Sequence, residues 1–357
     1  MLEDLLVQST MTRHKDQIEM DLNRLGAKLS AYGTRENFYL QLKAPRENFT
    51  EAFLYLNEAA FSPGFMPDEM EEYKKKTLSG LKQANDNTSL MANFALNHII
   101  FGENNPLSFP ASGTISSMKL MDPEQLRQFH SIHFRPENAE LVLVGNIDKL
   151  SAKDLVMQNS MNSPGMHMEP LPPHLHPKNS GDRSSEGDEK NITENKTDYG
   201  NLIYVVDVPG SDQTSIYLGK KAMPYSIEGD YLKARFLDDN IAGRFSSRLN
   251  MKLREEKGYT YGAHSNLYPG TKMSQFIFST NVKKEFTGEA LDDILSELEK
   301  MRNSGISKDE LKFSQDALVR SEALAYESPE EKAYFVHYLN HYGLPADSKK
   351  EENKAIQ

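Results

Sequence analysis

Gly243-Arg244-Phe245-Ser246-Ser247-Arg248-Leu249-Asn250-Met251-Lys252-Leu253-Arg254-Glu255-Glu256-Lys257-Gly258-Tyr259-Thr260-Tyr261-Gly262 is the stretch on which the fold reading turns. Leu249, Met251 and Leu253 recur among charged residues, and Gly258 follows a basic one. This pattern predicts an amphipathic helix closed by a glycine cap. Beyond the glycine, Tyr259, Tyr261 and Ala263 alternate with small or polar residues, the two-residue period of a half-buried strand. Arg254 is thereby expected in the last turn of the helix and Tyr261 on the strand that follows. A guanidinium and a phenol so placed can each donate a hydrogen bond to a peptide carbonyl, or to the oxyanion formed when that carbonyl is attacked; neither activates a water by itself. The plain alternative is a solvated Arg-Glu-Glu-Lys face and a tyrosine that fills core.

Working outward, the chain of 357 residues is long enough for two domains, each with its own core. It contains no cysteine, which excludes thiol catalysis, Cys-ligated zinc and redox switching. A net charge of −11 leaves no basic face for phosphate contacts, so nucleic acid is not an expected partner. No apolar run approaches the ~20 residues of a membrane helix. The start, Met1-Leu2-Glu3-Asp4-Leu5-Leu6, lacks the regions of a signal peptide, and the sequence leaves bacterial periplasm and cytoplasm both open. There is no Gly-x-Ser-x-Gly elbow, phosphate loop or dinucleotide fingerprint.

From about Asn159 to Gly200 the composition turns to proline, glycine, serine and charge, which predicts a mobile linker. The halves on either side look alike. Gly26-Ala27-Lys28-Leu29-Ser30-Ala31-Tyr32, a strand around Phe38–Leu42, a helix opened at Glu47–Ala52 and another at Asp68-Glu69 recur in the second half. Their counterparts are Gly258–Ala263, a strand at Gln275–Ser279, Lys284–Ala290 and Asp309-Glu310. Self-similarity at this distance suggests a duplicated domain. The first copy is expected to end in a strand within Pro136–Asn146, and clustered strands with segregated helices argue for an α+β fold.

The Arg254/Tyr261 run resembles a signature of the zinc metallopeptidase family of pitrilysin, insulin-degrading enzyme and mitochondrial processing peptidase, the inverzincins. The likeness covers most of residues 1–345 apart from the linker, and includes Asn105-Pro106-Leu107 with Gly113-Thr114. It implies an α+β fold of two homologous domains, each a mostly antiparallel sheet layered against helices: a first domain over 1–157, a linker over 158–199 and a second domain over 200–357. Against the family both ends look incomplete.

The family's catalytic half carries His-x-x-Glu-His, whose histidines bind zinc while the glutamate is the general base. Aligned with it, Glu3 falls at the glutamate, Asp4 at the second histidine, and the first histidine before Met1. The family's third ligand, a later glutamate, should fall near Ser79-Gly80, where no carboxylate stands. His337 and His341, four apart, would share a helix face as a zinc pair does, but no glutamate intervenes. His130 with His133, and His174 with His176, are weaker candidates still.

The resemblance therefore implies the non-metal half of such a peptidase, like the C-terminal half of a long member or a separate partner subunit, acting on peptides or unfolded polypeptides. Zinc would sit in the partner half and no cofactor in this chain. Arg254 and Tyr261 would anchor substrate and support the oxyanion. The competing expectation is a non-catalytic structural subunit of the same fold.

Overall fold

The computed structural model describes residues 1–84, 87–162, 203–324 and 326–356. The first half of the sequence forms α1 (Leu2–Leu6), α2 (Lys15–Arg24), β1 (Lys28–Gly33), β2 (Phe38–Lys43), α3 (Phe49–Phe61) and α4 (Pro67–Ala84), then α5 (Thr88–Phe101), α6 (Ile115–Leu120), α7 (Pro123–His133) and α8 (Lys149–Asn162). The second forms β3 (Gln213–Ala222), α9 (Gly229–Asp238), α10 (Arg248–Asn250), β4 (Thr260–Tyr268) and β5 (Ser274–Lys283), then α11 (Thr287–Ser304), α12 (Lys308–Leu324), α13 (Pro329–His341) and α14 (Ser348–Ile356). Strands pair antiparallel throughout, β1 with β2 in one sheet and in the order β3-β5-β4 in the other. This is the expected α+β architecture.

One order of elements occurs twice: helix, strand, strand, a single 3-10 turn (Arg46–Asn48, then Lys284–Phe286) and two long helices. In both copies a glycine stops the first helix with positive φ, 62° at Gly26 and 66° at Gly258. The next residue's N–H then turns back to the helix, Ala27 to Leu22 O at 2.8 Å and Tyr259 to Leu253 O at 2.9 Å. A side chain at these positions would strain the left-handed backbone, which is why glycine marks both helix ends.

The chain forms two compact units that interleave along the sequence. One takes 1–76, 116–141 and the described part of 146–207; the other takes 77–115, 142–145 and the described part of 208–357. In the first unit Leu2, Leu5 and Leu6 of α1 are buried with Phe65, Met70 and Leu126, while Ile18 and Leu22 of α2 pack with Ala52 and Tyr55 of α3.

In the second unit the three-stranded sheet is covered on both faces. Phe278 and Val282 of β5 point into a core with Leu249, Leu253, Ala263, Ala290 and Ile294. Full burial of Leu249, Leu253 and Ile294 stabilises by roughly 1.5–3 kcal/mol each. On the opposite face lies α5, apolar for most of its circumference and capped by Asn87, whose Oδ1 accepts from Leu90 N–H at 3.0 Å. Its polar residues meet polar residues of the sheet: Gln275 Nε2 donates to Asn97 Oδ1 at 2.7 Å, and Ser89 Oγ to Asn281 Oδ1 at 2.9 Å. Gly219 lets the helix approach, because a Cβ there would stand 2.9 Å from Leu96 Cδ2, 2.9 Å from Phe276 O and 3.1 Å from Ile100 Cδ1.

The strand expected within Pro136–Asn146 is not formed. Pro136–Asn138 is a 3-10 turn, no described strand pairs with the residues after it, and Leu141 and Val144 are exposed. Apolar, β-branched residues favour a strand only when a neighbouring backbone supplies hydrogen-bond partners, and among the described residues none does. The expected linker, 158–199, lies almost wholly outside the described residues.

Arg248, at the start of α10, reaches Glu310 at the start of α12 in a two-pronged ion pair, Nε to Oε1 and Nη2 to Oε2 both at 2.7 Å, and Nη2 also donates to Gly305 O at 3.0 Å. Glu310 accepts from Ser307 N–H at 2.7 Å, while its own N–H donates to Ser307 Oγ at 3.2 Å, a reciprocal cap of α12. The Arg248 hydrogen bonds hold the Glu310 carboxyl down from its usual 4.5 to about 2. A carboxyl depressed in the folded state stabilises above its unfolded value and loses that contribution as pH falls through the folded value. Denaturation midpoints are therefore expected to drop between pH 4.5 and about 2, less steeply in Glu310→Gln. Gly219→Ala should destabilise by about 1–3 kcal/mol through overpacking, read as a lower urea midpoint; an unchanged midpoint would mean that α5 does not press on β3.

Candidate functional site

Arg254 lies in a wide, π-type turn over Met251–Glu256 that continues α10, and Tyr261 lies at the start of β4, as the sequence pattern requires. The alternation of Tyr259, Tyr261 and Ala263 does not survive. Tyr259 is partly buried and stacks on Phe286 with ring centroids 4.6 Å apart, Ala263 is fully buried, yet Tyr261 is 92% exposed.

A β-bulge is the cause. Thr260 pairs with Val282 but Ala263 pairs with Thr280, so β4 carries one more residue than β5 between these pairs. The Thr260 hydroxyl accepts from Gly262 N–H at 3.1 Å and donates to Gly262 O at 2.9 Å, an oxygen the Thr280 hydroxyl also reaches at 2.9 Å. On the other side Asn250, buried, imitates a strand. Its Oδ1 accepts from Ala263 N–H at 2.8 Å, and its Nδ2 donates to Ala263 O at 2.7 Å and to Arg244 O at 3.1 Å. With the backbone on both sides of it fixed, the extra residue has its side chain turned to solvent. Among the described residues the Tyr261 hydroxyl has no hydrogen-bond partner.

Arg254 is half-buried. Its Cζ stands 4.2 Å above the centre of the Phe245 ring and its Nε 3.3 Å from Glu255 Oε1. The terminal nitrogens have no partner among the described residues. No hydrogen bond or ring contact joins Arg254 to Tyr261; each is offered to solvent on its own.

The segment that leads into α10 is pinned from beneath. Arg244 Nη1 meets Asp239 Oδ2 at 2.7 Å and Ser314 Oγ at 3.0 Å, Nη2 donates to Asn240 Oδ1, and the guanidinium lies 4.3 Å over Phe313. Gly243 is required there, since a Cβ would come within 2.9 Å of Asp238 O. Asp238 is half-buried, and desolvation raises its carboxyl above the ordinary range, while its Oδ2 accepts from Leu267 N–H at 3.2 Å on β4.

The positions aligned with a zinc motif are occupied otherwise. Glu3, on α1, accepts a hydrogen bond from Gly33 N–H at the end of β1. Ser79 and Gly80 are exposed on α4, with open space where a Gly80 side chain would stand. A backbone amide on the glutamate and no donor at the third position do not fit a zinc ion. His337 and His341 share a face of α13 with ring centroids 5.5 Å apart, among Tyr334 and Tyr342. His130 lies on α7; its Nε2 lies 2.8 Å from Ala60 O, it stacks on Phe134, and burial lowers its pKa. His174 and His176 lie outside the described residues. Among the described residues no group of three or more His, Asp or Glu is placed to hold a metal ion.

A family model described as "Peptidase M16 inactive domain" matches residues 121–318, and one described as "Insulinase (Peptidase family M16)" matches residues 1–113. The chain belongs to the M16 peptidase family. "Uncharacterized zinc protease YmxG" of Bacillus subtilis is 23% identical over 335 residues, 93% of this chain and 75% of the relative. "Non-peptidase homolog YmxG" of Helicobacter pylori is 22% identical over 326 residues, 91% of this chain and 70% of the relative. Mitochondrial "Cytochrome b-c1 complex subunit 1" of Homo sapiens is 23% identical over 176 residues, 49% of this chain and 36% of the relative. The crystal structure of a peptidase M16 inactive domain from Pseudomonas fluorescens superposes with a TM-score of 0.77 at 18% identity, covering 100% of this chain and 81% of that one, a likeness of fold. Relatives named as a protease and as a non-peptidase match almost equally well, so names do not assign chemistry. The inactive-domain match covers residues 121–318, and the side chains at Glu3 and Ser79-Gly80 do not make up the family's zinc site. No described helix is long and apolar enough to cross a membrane.

The sequence alone gave no sign of Asn250, since a buried asparagine within an amphipathic pattern carries no motif. Asn250→Ala should leave Ala263 N–H and C=O unpaired in a buried place and cost about 2–4 kcal/mol in chemical denaturation; a loss below 0.5 kcal/mol would show that the bulge stands without it.

Proposed function

We propose that this chain is the substrate-binding, non-metal half of an M16 peptidase, which hydrolyses peptides or unfolded polypeptides together with a zinc-bearing homologous half. The exposure of Tyr261 carries the reading. A tyrosine is amphipathic and ordinarily packs its ring; here a bulge, two threonine hydroxyls and a buried asparagine hold it 92% exposed. Such an arrangement serves a ligand better than it serves the core. Arg254, with a shielded face and unpartnered terminal nitrogens, is the second donor. Both groups are neutral or cationic hydrogen-bond donors suited to peptide carbonyls and to an oxyanion, and neither supplies a base. Attack on the carbonyl is thus assigned to the partner half, and binding of the peptide backbone to this one.

A second reading, a structural subunit that cleaves nothing, draws on the similarity to a cytochrome b-c1 subunit. It gives no role to an exposed tyrosine held by buried polar groups.

The test is cleavage of a quenched, unstructured peptide by this chain, by an M16 subunit bearing His-x-x-Glu-His, and by the mixture. Activity is expected only in the mixture, with Arg254→Ala lowering kcat/KM on the order of 10²-fold and Tyr261→Phe acting in the same direction. A complex whose turnover is untouched by both substitutions would favour the structural subunit, and stoichiometric zinc with activity in this chain alone would overturn the proposal.

A further inference from the structure

We infer that Phe245 is a positioning residue for peptide binding: it is a rigid aromatic plate that fixes the Arg254 guanidinium and turns its terminal N–H groups toward the ligand. The inference rests on the reading of Arg254 as a peptide anchor.

Three observations carry it. Phe245 is 61% exposed and adds nothing to the core, so folding gives no reason for a large apolar ring at this place. Its chain neighbours are nevertheless immobilised. Arg244 is tied to Asp239, Asn240 and Ser314, its carbonyl accepts from Asn250 Nδ2 at 3.1 Å, and Ser247 Oγ lies 3.2 Å from the same nitrogen. A ring on so fixed a backbone is a fixed surface. Finally, the guanidinium lies 4.2 Å over that ring while Glu255 Oε1 sits 3.3 Å from Nε. One face is thus covered and Nε is ion-paired, and the two terminal nitrogens remain.

An exposed arginine normally spreads over many rotamers and spends side-chain entropy when it binds. Stacking removes that freedom before the ligand arrives and strips water from one face, so the fork keeps the direction that a carbonyl pair or carboxylate requires. Glu255 works with the ring, since a carboxylate beside Nε leaves the opposite edge to the ligand. The ligand class that follows is an extended peptide backbone, not a compact anion held by charge alone.

The experiment combines two readouts on the full chain. In the Nε–H spectrum of the chain alone, the Arg254 signal should be shifted by the Phe245 ring current, lose that shift in Phe245→Leu and keep it in Phe245→Tyr. In the mixture with a zinc-bearing M16 subunit, Phe245→Leu should lower kcat/KM about five- to tenfold, Phe245→Tyr should restore it, and Phe245→Leu should cost nothing further in an Arg254→Ala background. Equal losses with and without Arg254 would overturn the inference, because Phe245 would then not act through the guanidinium. Full activity of Phe245→Leu beside a defective Arg254→Ala would overturn it while leaving Arg254 as an anchor. An inactive wild-type mixture would remove both the anchor and its plate.

Discussion

The pairing of the Asn250 side chain with the backbone of Ala263 is the contact on which the second unit's surface depends. A carboxamide presents one donor and one acceptor in a plane, as a peptide group does, and can complete a strand edge without a strand. It ties α10 to β4 at the residue where the sheet register has slipped. Without it two buried backbone groups would lack partners, and the extra residue of the bulge would be free to migrate along β4. Its location decides which side chains of that strand face outward. Arg254, one helical turn on, is positioned from the same asparagine.

Around that contact the sheet is an unusually closed object for three strands. β5 is central, one face of the sheet meets α10 and α11, and the other meets α5, which comes from the first half of the sequence. A helix approaching so near a strand needs a residue without a side chain, and Gly219 supplies it. The polar residues of α5 and of the outward face of β5 are paired with each other, so the second layer is specified by hydrogen bonds as well as by apolar burial. The C-terminal helix α14 is held by a different device, Glu352, buried between Arg235 Nη1 and Lys349 Nζ, each 2.6 Å away.

Much of this was legible in the sequence. The glycine-stopped helix before a strand, the second strand after it, the helices opened near Glu47, Asp68, Lys284 and Asp309 and the repetition of that order all follow from local chemistry: turn residues, helix-opening acids and hydrophobic period. What escaped depends on partners remote in sequence. The run Leu141–Val144 has every strand propensity and no strand partner among the described residues. The alternation through Tyr259, Tyr261 and Ala263 suggested a regular strand, because a two-residue period does not reveal an inserted residue. The signal was present only as Thr260 and Gly262 flanking the tyrosine, a hydroxyl beside a residue with no side chain. At Glu3 and Asp4 the departure from a metal motif could be read directly; the use of Glu3 to hold Gly33 N–H could not.

The wide turn at Met251–Glu256 has a consequence for how this surface can change. A π-type turn holds one residue more than the α-helical path needs, and its hydrogen bonds are poorer than those it replaces. Deleting one residue there would tighten the ladder, yet swing every position beyond it by about 100° about the helix axis. Arg254 would leave the ring of Phe245 in exchange for a better helix. At this turn thermostability and presentation of the cation are opposed, and a screen that rewards only heat resistance would select its loss.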